Sequence, residues 1–165
     1  MKLLALTIGV FWLGLAAFAT AKPLGNGSVV ACLEGSYLDT ASSTCVNGLA
    51  EEPENKKFLI VEFFSLYCGA CSANIAQIDK INQRVQGNTS IRYVSLGSES
   101  NAKKFVGKYN LKFPVVMDQD ELIQNTYRVI EAPQLYVIDR NNEIIYSHIG
   151  LITNPDIEEI VNLTK

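Results

Sequence analysis

Two cysteines stand three residues apart in the stretch FFSLYCGACSANI, residues 63–75. A C-x-x-C pair between an apolar run and a helical pattern is typical of a redox-active dithiol. We expect Cys68 at the N-terminus of the helix, where free N–H groups and the helix dipole stabilise a thiolate. Cys71 follows one turn later on the same face. The spacing predicts that Cys68 attacks a substrate disulfide and that Cys71 resolves the mixed disulfide.

The elements around this pair are predicted from the pattern of apolar residues. KFLIVEFFS, residues 57–65, is a continuous apolar run typical of a strand buried on both faces. Apolar residues then recur at helical spacing up to Gly87, which favours a helix end: Ile75, Ile78, Ile81 and Val85. Beyond them strands alternate with helices, followed by a hairpin around residues 140–142 and a last helix with Asn154 as its N-cap. This order predicts an α/β fold, a mixed central β-sheet flanked by helices.

Three stretches in this order resemble the thioredoxin-like superfamily. FLIVEFFSLYCGAC (residues 58–71) resembles the active-site strand and helix start of thioredoxins, and EAPQLYVID (131–139) resembles the segment that carries their cis-proline. YNLKFPVVMDQDELIQNTYRV (109–129) resembles the central insertion of the TlpA/ResA-like exported thiol–disulfide oxidoreductases. The resemblance covers about residues 58–165. It implies a thioredoxin fold that exchanges disulfides with protein cysteines and needs no metal or organic cofactor.

The same resemblance suggests roles for residues around the cysteines. Glu62 stands six residues before Cys68, where thioredoxins keep a buried acid. A carboxyl buried there would have a raised pKa and would exchange a proton with Cys71; the alternative is an acid at the strand edge facing water. Pro133 matches the cis-proline, with an ordinary trans-proline at a strand start as the alternative. The backbone of Ala132 would then pair with the substrate chain.

Three further residues, Tyr67, Gly69 and Ala70, are expected to line the substrate site, and two of them depart from the thioredoxin pattern. Tyr67 stands where thioredoxins have tryptophan, and Gly69-Ala70 places alanine where thioredoxin has proline. Residues between the cysteines influence thiolate stability and redox potential. We favour a reductant of client disulfides. The alternatives are a disulfide-inserting oxidant or isomerase, and a non-catalytic binding module of the same fold with a permanently closed disulfide.

Residues 1–21 have the pattern of a signal peptide. Lys2 precedes an uncharged apolar run, and small residues follow at Ala19 and Ala21. The alternative is an uncleaved membrane anchor. Without this segment the chain has 13 basic and 17 acidic residues, a net charge of −4, which gives no electrostatic case for nucleic acid. We expect an exported monomer, periplasmic in a bacterium and otherwise in the secretory pathway, with a membrane redox partner.

Residues 22–55 are rich in Gly, Ser, Thr and Asn, and we expect a loop-rich segment ahead of a thioredoxin-like domain at 56–165. Cys32 and Cys45 fall inside this segment. In an exported protein they are expected to form a structural disulfide worth about 3 kcal/mol in the chain-entropy picture. Two alternatives remain open: a second redox pair that relays electrons to Cys68 and Cys71, and a zinc site built from all four cysteines.

Two other reaction classes have little support. His148, the single histidine, lies in a predicted strand, where packing or surface exposure is its ordinary role. Peroxide-reducing relatives of the same fold have a Ser or Thr three residues before the reactive cysteine and a proline upstream. Ser65 has the first feature, but no proline precedes it in VEFFS.

Overall fold

The structure, a computed structural model, describes residues 22–38, 42–46, 48–49, 52–85 and 87–165. The predicted signal peptide, residues 1–21, lies outside the described residues. Within these ranges no helix combines the length and apolar character needed to cross a membrane. The elements in chain order are β1 Glu34–Tyr37, β2 Ser43–Cys45, β3 Phe58–Phe64, α1 Gly69–Arg84, β4 Thr89–Ser95, α2 Glu99–Tyr109, β5 Val115–Met117, α3 Leu122–Tyr127, β6 Gln134–Asp139, β7 Ile144–Ile149 and α4 Asn154–Leu163.

Seven strands form one mixed sheet in the order β2-β1-β5-β4-β3-β6-β7. Strands β3, β4 and β5 run parallel, and β6 pairs antiparallel with β3. Strand β7 pairs antiparallel with β6, and β1 pairs antiparallel with β5. The predicted mixed sheet with flanking helices is confirmed. The parallel strands place their carboxyl ends at one edge of the sheet, where β3 leads into α1.

Side chains of β3 alternate between two buried clusters, as the pleat of a strand requires. Ile60 and Phe64 pack into the cluster under helices α1, α2 and α4, which includes Ile78, Ile81, Phe105, Ile157 and Ile160. Leu59, Val61 and Phe63 pack into the cluster on the opposite face, which includes Ile123 and Tyr127 of α3. Strand β3 is therefore buried on both faces. Its alternation places Glu62 on the same face as Ile60 and Phe64, towards α1.

The N-terminal segment, expected to be loop-rich, also contributes two short strands, β1 and β2, to the sheet. Upstream of them, Gly27 N–H donates to Ile144 O (2.8 Å) and Val30 N–H donates to Asn142 O (2.9 Å). The segment therefore contacts β7 at one side of the sheet and extends the sheet beyond β5 at the other. These two strands are short and polar, EGSY and STC, so they lack the apolar alternation that reveals a strand.

Close packing explains a glycine in β1. A Cβ atom on Gly35 would lie 2.4 Å from Val116 Cγ1 of the neighbouring strand β5. Only a residue without a side chain allows β1 to reach this position. The absence of a side chain at Gly35 thus permits the pairing of β1 with β5.

The start of α4 lies one residue earlier than predicted. Thr153, with extended backbone angles, is the N-cap, and Asn154 is the first helical residue. The Asp156 carboxylate accepts a hydrogen bond from Thr153 N–H at 2.7 Å. The Thr153 side chain in turn contacts the Asp156 backbone, so the two residues form a capping box. This arrangement favours Thr153 over Asn154 as the N-cap.

A buried cation joins the N-terminal segment to the sheet. Arg92 on β4 is 2% exposed. Its guanidinium donates to Cys45 O (2.5 Å) and Val46 O (3.1 Å), and pairs with Glu52 Oε1 at 2.7 Å. Because carbonyl groups and a carboxylate satisfy the charge, burial of the arginine is tolerated. Arg92 thus holds the residues after β2 against the face of the sheet that carries α3.

We expect Arg92→Ala to lower the free energy of unfolding by about 3 kcal/mol, because it leaves two main-chain carbonyls and Glu52 without their partner. Urea unfolding of the oxidised protein measures this loss. Arg84→Ala is the matched control, since Arg84 makes a bidentate salt bridge with Glu158 on the solvent-exposed surface. Exposed pairs contribute little. Equal losses in the two variants would contradict the role given to Arg92.

Candidate active site

Cys68 and Cys71 form a disulfide at the N-terminus of α1, with Cα atoms 5.3 Å apart. Cys68 is the N-cap residue, and its Sγ accepts a hydrogen bond from Cys71 N–H at 3.0 Å. The first turn of α1 carries no acidic residue. After reduction, the free N–H groups and the helix dipole would therefore favour a thiolate at Cys68.

The two sulfurs differ in exposure. Cys68 is half-buried, whereas Cys71 is completely buried among the apolar residues under α1. A partner molecule therefore reaches Cys68 first. Cys71 Sγ is shielded from partner molecules but lies within bonding distance of Cys68 Sγ.

Glu62 lies on the central strand β3 and is completely buried. Burial raises its pKa to about 8, although a hydrogen bond from Asn74 favours the ionised form. Glu62 Oε1 accepts that bond from Asn74 Nδ2 at 3.0 Å. Glu62 Oε2 makes no hydrogen bond within the part of the chain that the structure describes. The carboxyl therefore lies in the core, not at a wet strand edge, and it titrates near neutral pH.

Asn74 is a site residue that sequence reasoning missed. It lies on the buried face of α1, three residues after Cys71, and is completely buried. Its amide also donates to Gly150 O (3.1 Å) and accepts from Ile152 N–H (2.9 Å). A signal was present in the sequence: Asn74 interrupts an otherwise apolar face at helical spacing. A polar residue there needs buried partners.

The Ala132–Pro133 peptide bond is cis. Pro133 directly precedes β6, whose residue Gln134 pairs with Phe63 near the end of β3. Pro133 O accepts a hydrogen bond from Gly150 N–H at 2.8 Å. Ala132 packs against the same apolar cluster that contains Cys71. The structure thus brings the Ala132–Pro133 segment and the loop after β7 to the edge of the sheet that carries the disulfide.

Exposed apolar side chains occur on the three segments that meet at this edge. Tyr67, next to Cys68, is 86% exposed, Ile130 is 50% exposed and Leu151 is 51% exposed. Between the cysteines, Gly69 is exposed and Ala70 is half-buried. Ile130 and Leu151 were not singled out from the sequence, because an apolar residue in a loop carries no signal until its neighbours are known.

The other two cysteines are joined to each other. Cys32 and Cys45 form a disulfide in the N-terminal segment, with Cα atoms 5.4 Å apart. The described residues contain no group of three or more His, Cys, Asp or Glu side chains that could hold a metal ion. His148 packs beside the loop after β7, with Nδ1 3.2 Å from Asp156 Oδ1 and Nε2 3.2 Å from Leu151 O.

A mixed sheet with flanking helices and a disulfide at the start of α1 defines a thioredoxin-like protein of the thiol–disulfide oxidoreductase class. The Redoxin profile matches residues 34–162, and the chain belongs to the Redoxin family. The chain is 25% identical over 167 residues to the thiol-disulfide oxidoreductase ResA of Halalkalibacterium halodurans, an alignment that covers 94% of this chain and 95% of that protein. The resemblance to the thioredoxin-like superfamily is confirmed.

Two solved structures show the same fold. The thioredoxin domain of a thiol-disulfide oxidoreductase from Bacteroides vulgatus superimposes with a TM-score of 0.72 at 18% identity, over 86% of this chain and 99% of that one. A putative thiol:disulfide interchange protein DsbE from Chlorobium tepidum superimposes with a TM-score of 0.71 at 17% identity, over 86% of this chain and 98% of that one.

The buried carboxyl makes the stability of the protein depend on pH. The pKa of Glu62 is raised from 4.5 to about 8 in the folded state, so the folded protein holds a proton that the unfolded chain releases. Glu62 should therefore lower the free energy of unfolding by up to about 1.4 kcal/mol per pH unit as pH rises from 4.5 to 8. The cost of ionising the buried carboxyl is absent below that window and fully present above it.

We expect Glu62→Gln to remove this dependence and to be more stable than the parent protein at pH 8, with little difference at pH 4. Urea unfolding of both oxidised proteins across this range measures the difference. Glu158→Gln, on the exposed surface of α4, is the control. Parallel stability curves for the parent protein and Glu62→Gln would contradict a raised pKa.

Proposed function

We propose that the protein is an exported thiol–disulfide oxidoreductase that acts on protein cysteines through Cys68 and Cys71. The observation that carries this proposal is the asymmetry of the pair. Cys68 is half-buried at the N-cap of α1, and Cys71 is completely buried behind it. This arrangement suits an attacking thiol that meets the client and a resolving thiol that does not.

In the reductive direction, the Cys68 thiolate attacks one sulfur of a client disulfide. A bond forms between Cys68 Sγ and that sulfur, while the other client sulfur leaves as a thiolate and takes up a proton. Cys71 then loses its proton and attacks Cys68 Sγ. This second exchange closes the Cys68–Cys71 disulfide and releases the remaining client sulfur as a thiol. The client gains two electrons, and the two cysteines of the protein lose them.

Glu62 is proposed to take the proton from Cys71 in the second exchange and to return it when the disulfide is reopened. Burial raises the pKa of Glu62 to about 8, so its carboxyl can take up or release a proton near neutral pH. A group that titrates near the working pH is effective in both directions of proton transfer. The buried position of Cys71 supports this role, because bulk water has little access to its sulfur.

The client is proposed to bind as an extended segment across the Ala132–Pro133 bond. The backbone of Ala132 would pair with the client chain, and Tyr67, Gly69 and Ala70 would contact the residues beside its cysteine. The exposed side chains of Ile130 and Leu151 support a preference for apolar residues around that cysteine. Cys32 and Cys45 are proposed to be a structural disulfide, since Arg92 anchors the Cys45 carbonyl to the sheet.

We propose export on the signal-like segment at residues 1–21, and a periplasmic location if the host is bacterial. The protein would act as a monomeric reductant that a membrane redox partner returns to the dithiol form. The residues 22–55 and 56–165 would remain one exported unit after cleavage. The relative from Halalkalibacterium halodurans is named a thiol-disulfide oxidoreductase, which supports the reaction but not its direction.

The roles of the two cysteines are tested by single substitutions. We expect Cys68→Ser to abolish exchange with a model protein disulfide, because the attacking sulfur is missing. Cys71→Ser should trap a mixed disulfide between Cys68 and the client, visible by mass spectrometry and lost on reduction. The double variant Cys32→Ser/Cys45→Ser is the control and should keep exchange activity. If Cys71→Ser traps no client and keeps full turnover, the assigned roles are wrong.

The direction of electron flow is tested by the reduction potential of the mature protein in glutathione buffers, with mass-resolved alkylation of each cysteine. For a reductant we expect Cys68–Cys71 near about −270 mV, the value of thioredoxin, and a value near about −120 mV would indicate a disulfide-inserting oxidant. Cys32–Cys45 should stay oxidised throughout. If that pair titrates together with Cys68–Cys71, it is a second redox centre.

A further inference from the structure

A chain of hydrogen bonds connects the buried acid to the segment with the cis peptide bond. It runs from Glu62 Oε1 to Asn74 Nδ2 (3.0 Å), and from Asn74 Nδ2 to Gly150 O (3.1 Å). Gly150 N–H then donates to Pro133 O at 2.8 Å. We propose, on the basis of the thiol–disulfide exchange proposed above, that Asn74 is a positioning residue that holds Glu62 and couples its protonation state to the loop at Gly150–Ile152.

The three partners of Asn74 fix the orientation of its amide. The NH₂ group has two hydrogens, and one acceptor lies opposite each of them, Glu62 Oε1 and Gly150 O. The carbonyl oxygen accepts from Ile152 N–H at 2.9 Å. A flipped amide would place its oxygen against two acceptors and its NH₂ group against a donor. Asn74 therefore has one arrangement that satisfies all three partners at once.

The chemistry of the amide explains why the coupling depends on the charge of Glu62. A hydrogen bond from a neutral amide to an ionised carboxylate is stronger than one to a neutral carboxyl group. When Glu62 loses its proton, Asn74 is drawn towards Oε1. The same nitrogen also donates to Gly150 O, so a movement of the Asn74 amide alters the position of the loop. Aspartate at position 74 would lack both donors when ionised, and an aliphatic residue would leave all three groups unpaired.

The loop that Asn74 holds is the one beside the proposed client site. Gly150 has a φ of +93°, a left-handed conformation that glycine adopts without strain. It bonds the Pro133 carbonyl on one side and precedes the exposed Leu151 on the other. A client segment seated at this loop therefore contacts the residue whose carbonyl shares the Asn74 amide with Glu62. Binding and proton transfer would then be linked through a single side chain.

Other titratable groups near Glu62 do not provide this link. Tyr93 faces it from β4, in register with it, and the pKa of Tyr93 is raised by burial and by the charges of Glu62 and Asp79, so Tyr93 stays neutral. Cys71 lies on the same face of α1 but does not titrate while the disulfide is closed. In the oxidised protein, Tyr93 and Cys71 therefore add no ionisation beside Glu62. The other titratable groups around this network are Asp79 on α1, and His148 and Asp156 at the loop, where His148 Nε2 lies 3.2 Å from Leu151 O.

The test follows Glu62 directly by NMR in oxidised protein with ¹³C-labelled glutamate, using Glu62→Gln to assign its signal. We expect Asn74→Ala to move the midpoint of the Glu62 titration upward by about one pH unit, because a donor to the carboxylate is lost. Asn88→Ala is the matched control. Asn88 also donates its side-chain amide to a main-chain carbonyl, Thr164 O at 2.7 Å, but at the start of β4, away from the disulfide. It should leave the midpoint unchanged.

The coupling itself is read from the main-chain amides of Gly150 and Ile152. In the parent protein we expect both amide signals to show a shift at the Glu62 midpoint that is absent from Glu62→Gln, which separates it from any ionisation of His148 beside Leu151. In Asn74→Ala we expect this shift to vanish. If Asn74→Ala does not fold, Asn74→Ser, which adds no charge and whose single hydroxyl cannot serve all three partners, should also raise the midpoint.

An unchanged Glu62 midpoint in a folded Asn74 variant would overturn the proposal. So would the absence of any shift of the Gly150 and Ile152 amide signals at the Glu62 midpoint in the parent protein. Neither measurement uses turnover. Loss of the proposed exchange activity is therefore recognised separately from failure of the coupling.

Discussion

A carboxyl group with no exposure to solvent, placed on the central strand, constrains the rest of this site. Burial of Glu62 favours its protonated form, and only one of its oxygens has a partner among the described residues. The strand can carry such a residue because its neighbours supply enough apolar packing, with Ile60 and Phe64 on the same face. The pKa of Glu62 is therefore raised to about 8. A better-solvated carboxylate would be ionised throughout and would not accept and return a proton near pH 7.

The contrast with Arg92 distinguishes two kinds of buried ionisable group. Both residues are buried on adjacent strands, but they face opposite sides of the sheet. Arg92 has two carbonyls and a carboxylate around its guanidinium, so its charge is fully compensated. Glu62 has a single amide donor. A buried polar group with too few hydrogen-bond partners destabilises the fold. Such groups cluster at functional sites. This difference supports a chemical role for Glu62 and an architectural one for Arg92.

The sequence was informative where local pattern and chemistry agree. The apolar run of β3, the helical spacing of α1 and the C-x-x-C pair are all short-range features, and they led to the mixed sheet that the structure shows. It was less informative for β1 and β2, which are short, polar and stabilised by pairing with β5 rather than by their own apolar faces. The predicted N-cap of α4 was wrong by one residue, because Asn and Thr are both good caps and only the hydrogen bond from Thr153 N–H to the Asp156 carboxylate distinguishes them.

The features that could not be predicted from the sequence depend on contacts between distant parts of the chain. Asn74 is separated by 12 residues from Glu62 and by 76 from Gly150, so nothing local indicates that one amide serves both. The same holds for Gly150 and Pro133, which meet because β7 returns antiparallel to β6. Four segments, at the end of β3, the start of α1, the start of β6 and the end of β7, meet at one edge of the sheet. Because α1 carries Cys71 and Asn74 on one face, a single helix fixes the buried sulfur of Cys71 relative to Glu62 and to the loop at Gly150–Ile152.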